Sequence, residues 1–352
     1  MTWTLWRKLL RDVRLTLLGV ALLLGLFQVL WAKVTERVLS KLAPFFNALA
    51  GLGGLTPQDI EAVVFEGPGK VMRTIMGGDR VQLDTAMDLL SIGYVHPMMQ
   101  LIFCIWAISR AAGAIAGELD RGTMELLLAQ PLSRSRLWLA HLLLDLTTIP
   151  LLCLCLWLGN FAGAWLITPI RVEDPKLPIA LPRQTYLVEF GPFRVRVEDP
   201  GARNRLRSPS EQDRARMEAR LRVEPWKFLP GLVAVGGLIF AICGLTLWLS
   251  SCSRYRWRVL ALAITVVLLM FLANLLGQMW DDVAWMRPLS IFYYYQPQQM
   301  ILSNDWCVSL PEWNGGQPLV RLPMPVVLYG VGALGYGLAL WTLLRRDLPA
   351  PL

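Results

Sequence analysis

Ala111 to Arg136 reads AAGAIAGELDRGTMELLLAQPLSRSR, a stretch that leaves one apolar run, turns in a polar setting and enters another. Glu118, Asp120 and Arg121 mark the exit to water, because charged side chains are costly in hydrocarbon. Gly122 permits a turn. Thr123 is placed to cap a short helix whose first turn holds Glu125, where a carboxylate suits the positive end of the helix dipole. Pro131 stops that helix. Met124, Leu127 and Leu128 share one face at helical spacing, which leaves the segment an apolar side open to a partner protein.

Outward from this turn, six stretches read as membrane spans: Leu15 to Ala32, Ile92 to Gly117, Leu137 to Ile167, Phe228 to Leu249, Val259 to Trp280 and Val326 to Leu344. Each reaches roughly the 20 residues that cross about 30 Å of hydrocarbon. Composition agrees: with 55% hydrophobic and 17% charged side chains over 352 residues, the chain has more apolar surface than a soluble domain can hide. The fold class expected is all-α and polytopic. The first stretch reads as a retained anchor rather than a signal peptide, since Trp31-Ala32-Lys33 offers no small-residue cleavage site.

The net charge of +8 comes from lysines and arginines gathered at the ends of apolar segments, not along one soluble face. No nucleic-acid partner is expected from that pattern. It does set an orientation. Arg7, Lys8, Arg11 and Arg14 precede the first span, Arg121, Arg134 and Arg136 lie between the second and third, Arg254, Arg256 and Arg258 between the fourth and fifth, and Arg345 and Arg346 after the sixth. All of these fall on one side if the spans number six, so both termini are expected in the cytoplasm of a plasma membrane. Four segments follow: 1–14, an interfacial helix with Trp3, Trp6, Leu10 and Val13 opposite its basic residues; 15–167, spans one to three; 168–227, a charged outer insertion; and 228–346, spans four to six with an outer segment at 281–325.

Within the insertion, Tyr186 to Phe190 and Phe193 to Val197 flank Gly191-Pro192 as a short hairpin. Ser208-Pro209-Ser210-Glu211 has capping-box spacing, and Glu218 precedes Arg222 by four residues on the helix that would follow. Trp280, Trp285 and Tyr293 to Tyr295 read as an aromatic belt at the outer interface. Five of the six cysteines, Cys104, Cys153, Cys155, Cys243 and Cys252, lie in or beside apolar runs, where thiols act as small hydrophobes; Cys307 is the exception. No metal site is expected, because Cys153-x-Cys155 has neither histidine nor carboxylate nearby and the chain has only His96 and His141.

Few polar residues lie inside the spans. Arg110 and Asp145 fall at matching depths, roughly 12 to 14 Å from the turn side at 1.5 Å per residue. They either form an ion pair between spans two and three or leave Arg110 to snorkel to the interface. Asn160, Asn274 and Gln278 are candidate interhelical hydrogen-bonders or pathway residues. His96-Pro97 kinks or starts span two, since proline removes the hydrogen bond to the carbonyl of Gly93.

The segment Glu118, Arg121-Gly122-Thr123, Glu125 to Leu128 and Pro131-Leu132-Ser133-Arg134 resembles the junction between spans two and three of type-2 ABC transporter permeases. His96-Pro97, Arg287-Pro288-Leu289-Ser290, Tyr293-Tyr294-Tyr295 and Pro297 agree with the same family, and the likeness covers nearly the whole chain except the 168–227 insertion. The resemblance implies an exporter permease fold in which 118–136 is a coupling element. Glu118, Arg121, Gly122, Thr123, Met124, Glu125, Leu127 and Leu128 would then contact a separate ATPase subunit. It also implies a second permease subunit and a bacterial inner membrane, with ATP and magnesium held by the ATPase and no cofactor in this chain. Consistently, Gly67-Pro68-Gly69-Lys70 is followed by Val71, and Val64 stands where a phosphate loop needs its first glycine. A membrane-embedded enzyme would need paired carboxylates, a nucleophile set or metal spacing, none of which is legible. An ion-coupled carrier would need more intramembrane charge and matched broken helices.

Overall fold

The computed structural model describes residues 2–42, 85–124, 133–168, 185–190, 193–198, 221–310 and 320–346. Glu125, Leu127, Leu128, Pro131, the Gly67–Lys70 run, the Ser208–Glu211 capping box and Glu218 lie outside them. Among the described residues six helices are long and apolar enough to cross a membrane: Thr2–Ser40, Ala86–Ala112, Arg134–Ile167, Pro225–Cys252, Arg256–Met279 and Met324–Arg345. An α-helix suits a bilayer because each backbone amide finds its partner within its own segment.

The first helix, α1 (Thr2–Arg37), is unbroken. No proline interrupts it and nothing ends it near residue 14, so the expected interfacial segment and span one are one helix. Leu5 is buried, Trp3 stacks on Trp6 at 4.3 Å, and Trp6 Nε1 donates to Thr147 at 3.4 Å. The second span begins earlier than expected and is two helices, α2 (Ala86–Val95) and α3 (Pro97–Ala112). Pro97 lacks an N–H and pushes His96 into an extended conformation (φ −54°, ψ 132°). Neighbouring groups repair the break. His96 Nδ1 accepts from the Met98 amide, and Gln100 Nε2 donates to the carbonyl of Val95 at 2.6 Å. A short α4 (Ala116–Asp120) follows, then α5 (Arg134–Ile167), α6 (Leu229–Cys252), α7 (Arg256–Met279), a short α8 (Pro297–Leu302) and α9 (Met324–Arg345).

The sheets are small. β1 (Thr185–Phe190) pairs antiparallel with β2 (Phe193–Glu198), Phe190 opposite Phe193, at the place where the sequence suggests a hairpin. β3 (Cys307–Ser309) pairs with β4 (Arg321–Pro323) between spans five and six.

α6 is the central helix, with 67% of its apolar window buried against 17% for α7. It packs on α9, α3, α5, α7 and α8, while α1 packs along α5. Both major pairings depend on glycine. Lipid tails are as apolar as leucine, so helices in a bilayer associate where small residues let backbones touch. A Cβ placed on Gly159 would lie 2.5 Å from the carbonyl oxygen of Gly25, and one on Gly163 would meet Ala32 at 2.7 Å. Gly244 meets Gly332 and Gly335 in the same way across α6 and α9. The tyrosine triplet differs from its expected place in an aromatic belt. Tyr293, Tyr294 and Tyr295 are buried, and Tyr295 Oη donates to the carbonyl of Tyr94 at 2.6 Å, whereas Trp280 and Trp285 are exposed.

Candidate functional site: the elbow after the second span

The end of α4 shows why the sequence reads Arg-Gly-Thr. Gly122 has a positive φ of 69°, a left-handed conformation that a Cβ disfavours. The Gly122 amide donates to Leu119 O at 3.1 Å and the Thr123 amide to Glu118 O at 3.0 Å. This pair of bonds around a left-handed glycine is a Schellman cap, which satisfies carbonyls that the helix end leaves open. The side chains brace the same turn. Arg121 Nη2 donates to Glu118 Oε1 at 2.5 Å, and the Thr123 hydroxyl donates to Glu118 Oε2. Thr123 therefore turns back to Glu118, because a carboxylate is the stronger acceptor within reach.

Asp120, Arg121 and Gly122 are exposed, while Glu118 and Thr123 are half-buried. Met124 is buried and packs into the chain's own core, so it is not on a free apolar face as expected.

Arginines tie the neighbouring helix ends to this side of the molecule. Arg134 Nη1 donates to Arg346 O at 2.6 Å and to Leu343 O at 3.2 Å, closing the carbonyl end of α9. Arg346 Nη1 in turn donates to Ser251 O at 2.8 Å and Ser253 O at 3.1 Å, closing the end of α6. Positive side chains on helix C-termini meet both the open carbonyls and the negative end of the dipole. The arginine of the Pro-Leu-Ser-Arg run thus serves span six, a role that its position in the sequence does not suggest.

Deeper in the bundle, Arg110 Nη1 lies 2.6 Å from Asp145 Oδ2, with both side chains almost wholly buried (4% and 0% exposed). That contact is off hydrogen-bonding angle. Arg110 Nη2 donates to the carbonyl of His141 at 2.6 Å, and the Tyr336 hydroxyl donates to Asp145 Oδ2. Spans two, three and six therefore meet at one carboxylate. Asp145 Oδ1, both ring nitrogens of His141 and Thr148 Oγ1 have no hydrogen-bond partner among the described residues. His141 and Tyr336 carry no sequence signal for this role; only their depth matches.

The three remaining polar candidates are not brought together. Asn160 is buried with Nδ2 3.5 Å from the Tyr94 hydroxyl, Asn274 accepts from Arg287 Nε at 3.4 Å, and Gln278 is half-buried further along α7. Among the described residues no three of His, Cys, Asp and Glu gather as a metal site.

This architecture is that of a multi-pass α-helical membrane protein, with six candidate spans among the described residues. Residues 3–164 match the family model described as ABC-2 family transporter protein, in agreement with the resemblance of the elbow to that of type-2 ABC transporter permeases. The match takes in the first three spans and the elbow. No curated protein matches the chain well enough to count as a relative.

Proposed function

We propose that this chain is the membrane subunit through which a separate ATPase drives export of a substrate. In this reading the elbow and the ends of α6 and α9 face the cytoplasm of a bacterial inner membrane, where the arginines of the short connections collect. ATP and magnesium bind to the ATPase, a second permease subunit completes the pathway, and this chain performs no catalysis.

The observation that carries the reading is the build of the elbow: a braced turn that exposes Asp120, Arg121 and Gly122 outwards while its inner side is tied to the helices. A rigid, exposed turn joined closely to the end of a membrane span suits the transfer of mechanical work. An ion-coupled carrier would use intramembrane charge, but Arg110 and Asp145 neutralise each other here, which favours a structural role for the pair.

Purification of the tagged chain from native membranes tests the proposal. The native chain is expected to retain an ATPase with a phosphate-loop motif, and Glu118→Ala with Arg121→Ala is expected to weaken retention at least about tenfold, the equivalent of one lost charge-assisted contact. Reproducible elution without an ATPase would contradict it.

A further inference from the structure

We infer that Ser250, near the end of α6, is the positioning residue that fastens the elbow to span four, so that displacement of α4 is passed to α6 rather than absorbed at the break before it. This inference rests on the proposed function for its source of motion, but its structural half stands on geometry alone.

The chain breaks between α3 and α4. Residues 113–115 separate the two helices, and Ile115, which precedes α4, makes no side-chain cap. A break of this kind opens backbone groups that must find partners when buried. Ala112, Ile115 and Ala116 are each 1% exposed or less, so water does not supply them. One side chain does. Ser250 Oγ accepts from the Ala116 amide at 2.9 Å and the Ile115 amide at 3.2 Å, and donates to the Ala112 carbonyl at 3.2 Å.

A serine hydroxyl has one hydrogen to give and two lone pairs, so all three capacities are spent on this break. Ser250 is itself fully buried. The hydroxyl stands in for intrahelical bonds on both sides of the gap, and it belongs to the central helix rather than to the elbow. Arg256, at the start of α7, lies along the same segment: its Nη2 reaches Ser109 O at 3.5 Å, and its side chain runs beside Gly113 and Gly117. The end of α6 is also fixed to α9 through Arg346. A push on α4 thus has one short polar route into α6, and through Arg346 onward to α9.

Ser251 provides the control. It is equally buried, but its hydroxyl donates only within its own helix, to Trp248 O at 2.7 Å.

Hydrogen–deuterium exchange on the full chain, bound to its ATPase in lipid nanodiscs, tests the inference in two stages. Without nucleotide, Ser250→Ala is expected to raise exchange in peptides covering 112–120 by about tenfold, as the two amides lose their acceptor, while peptides of α5 keep their protection and Ser251→Ala changes neither. Unchanged exchange at 112–120 in Ser250→Ala would overturn the inference, and intact α5 protection excludes misfolding as the cause of any rise. With ATP and vanadate added, the native chain is expected to change its exchange at both 112–120 and 246–256, and Ser250→Ala only at 112–120. A response at 246–256 that survives in Ser250→Ala overturns the inference alone. A native chain that responds at neither segment overturns the ATP-driven reading, and the inference with it.

Discussion

Arg110 is held by a carboxylate and a carbonyl contributed by one neighbouring helix, and its charge has no route to water with 4% of the side chain exposed. Removing one member of a buried ion pair leaves the other uncompensated, which costs about 3–5 kcal/mol in proteins, whereas replacing both can be neutral. Asp145→Ala is therefore expected to lower stability in detergent by about that amount, and the reversed pair, Arg110→Asp with Asp145→Arg, to recover part of it. Thermal unfolding of the three chains checks this; equal stability of Asp145→Ala and the native chain would remove the pair from the account. The pairing was legible as one of two options, since matching depth in adjacent spans is countable from the sequence. The third partner was not. Tyr336 lies 191 positions from Asp145, and nothing in the surrounding GALGYGLAL run marks its hydroxyl as turned inwards.

At the scale of elements, the turn of the elbow could be read because Gly122 follows a charged helix end, which is where a left-handed residue is wanted. The role of Thr123 could be read only in part, because a hydroxyl close to a carboxylate in space has a competing acceptor that sequence spacing does not reveal. The break at His96 was legible for the same reason as most proline breaks: a missing amide is a property of one residue. Helix pairing was not. Glycines are scattered through the spans, and only contact tells Gly159, pressed on the backbone of Gly25, from Gly19, which has open space around it. Gly159→Val is accordingly expected to force α1 from α5 and cost about 1–3 kcal/mol, while Gly19→Val costs no more than a few tenths, apart from helix propensity. Unfolding midpoints that fall equally for the two variants would contradict the packing described.

Across the whole molecule, six spans were countable because a bilayer imposes length and apolarity on every crossing. The start of the second span and the unbroken first helix were missed, as moderately polar sequence can continue a helix beyond the hydrocarbon. The arrangement of α6 at the centre with α7 at the edge was illegible, since both are uniformly apolar and lipid gives no contrast between a face that meets protein and one that meets tails. What unites the scales is one end of the bundle, where the elbow, Ser250, Arg346 and Arg134 link spans two, four, six and three in turn. The central claim is that this end receives a separate ATPase. The most direct measurement is a photocrosslinker, benzoylphenylalanine, placed at the exposed position of Arg121 and irradiated in native membranes. The account predicts a crosslinked product containing an ATPase with a phosphate-loop motif, and a crosslinker that joins only to the chain itself or to lipid would contradict it.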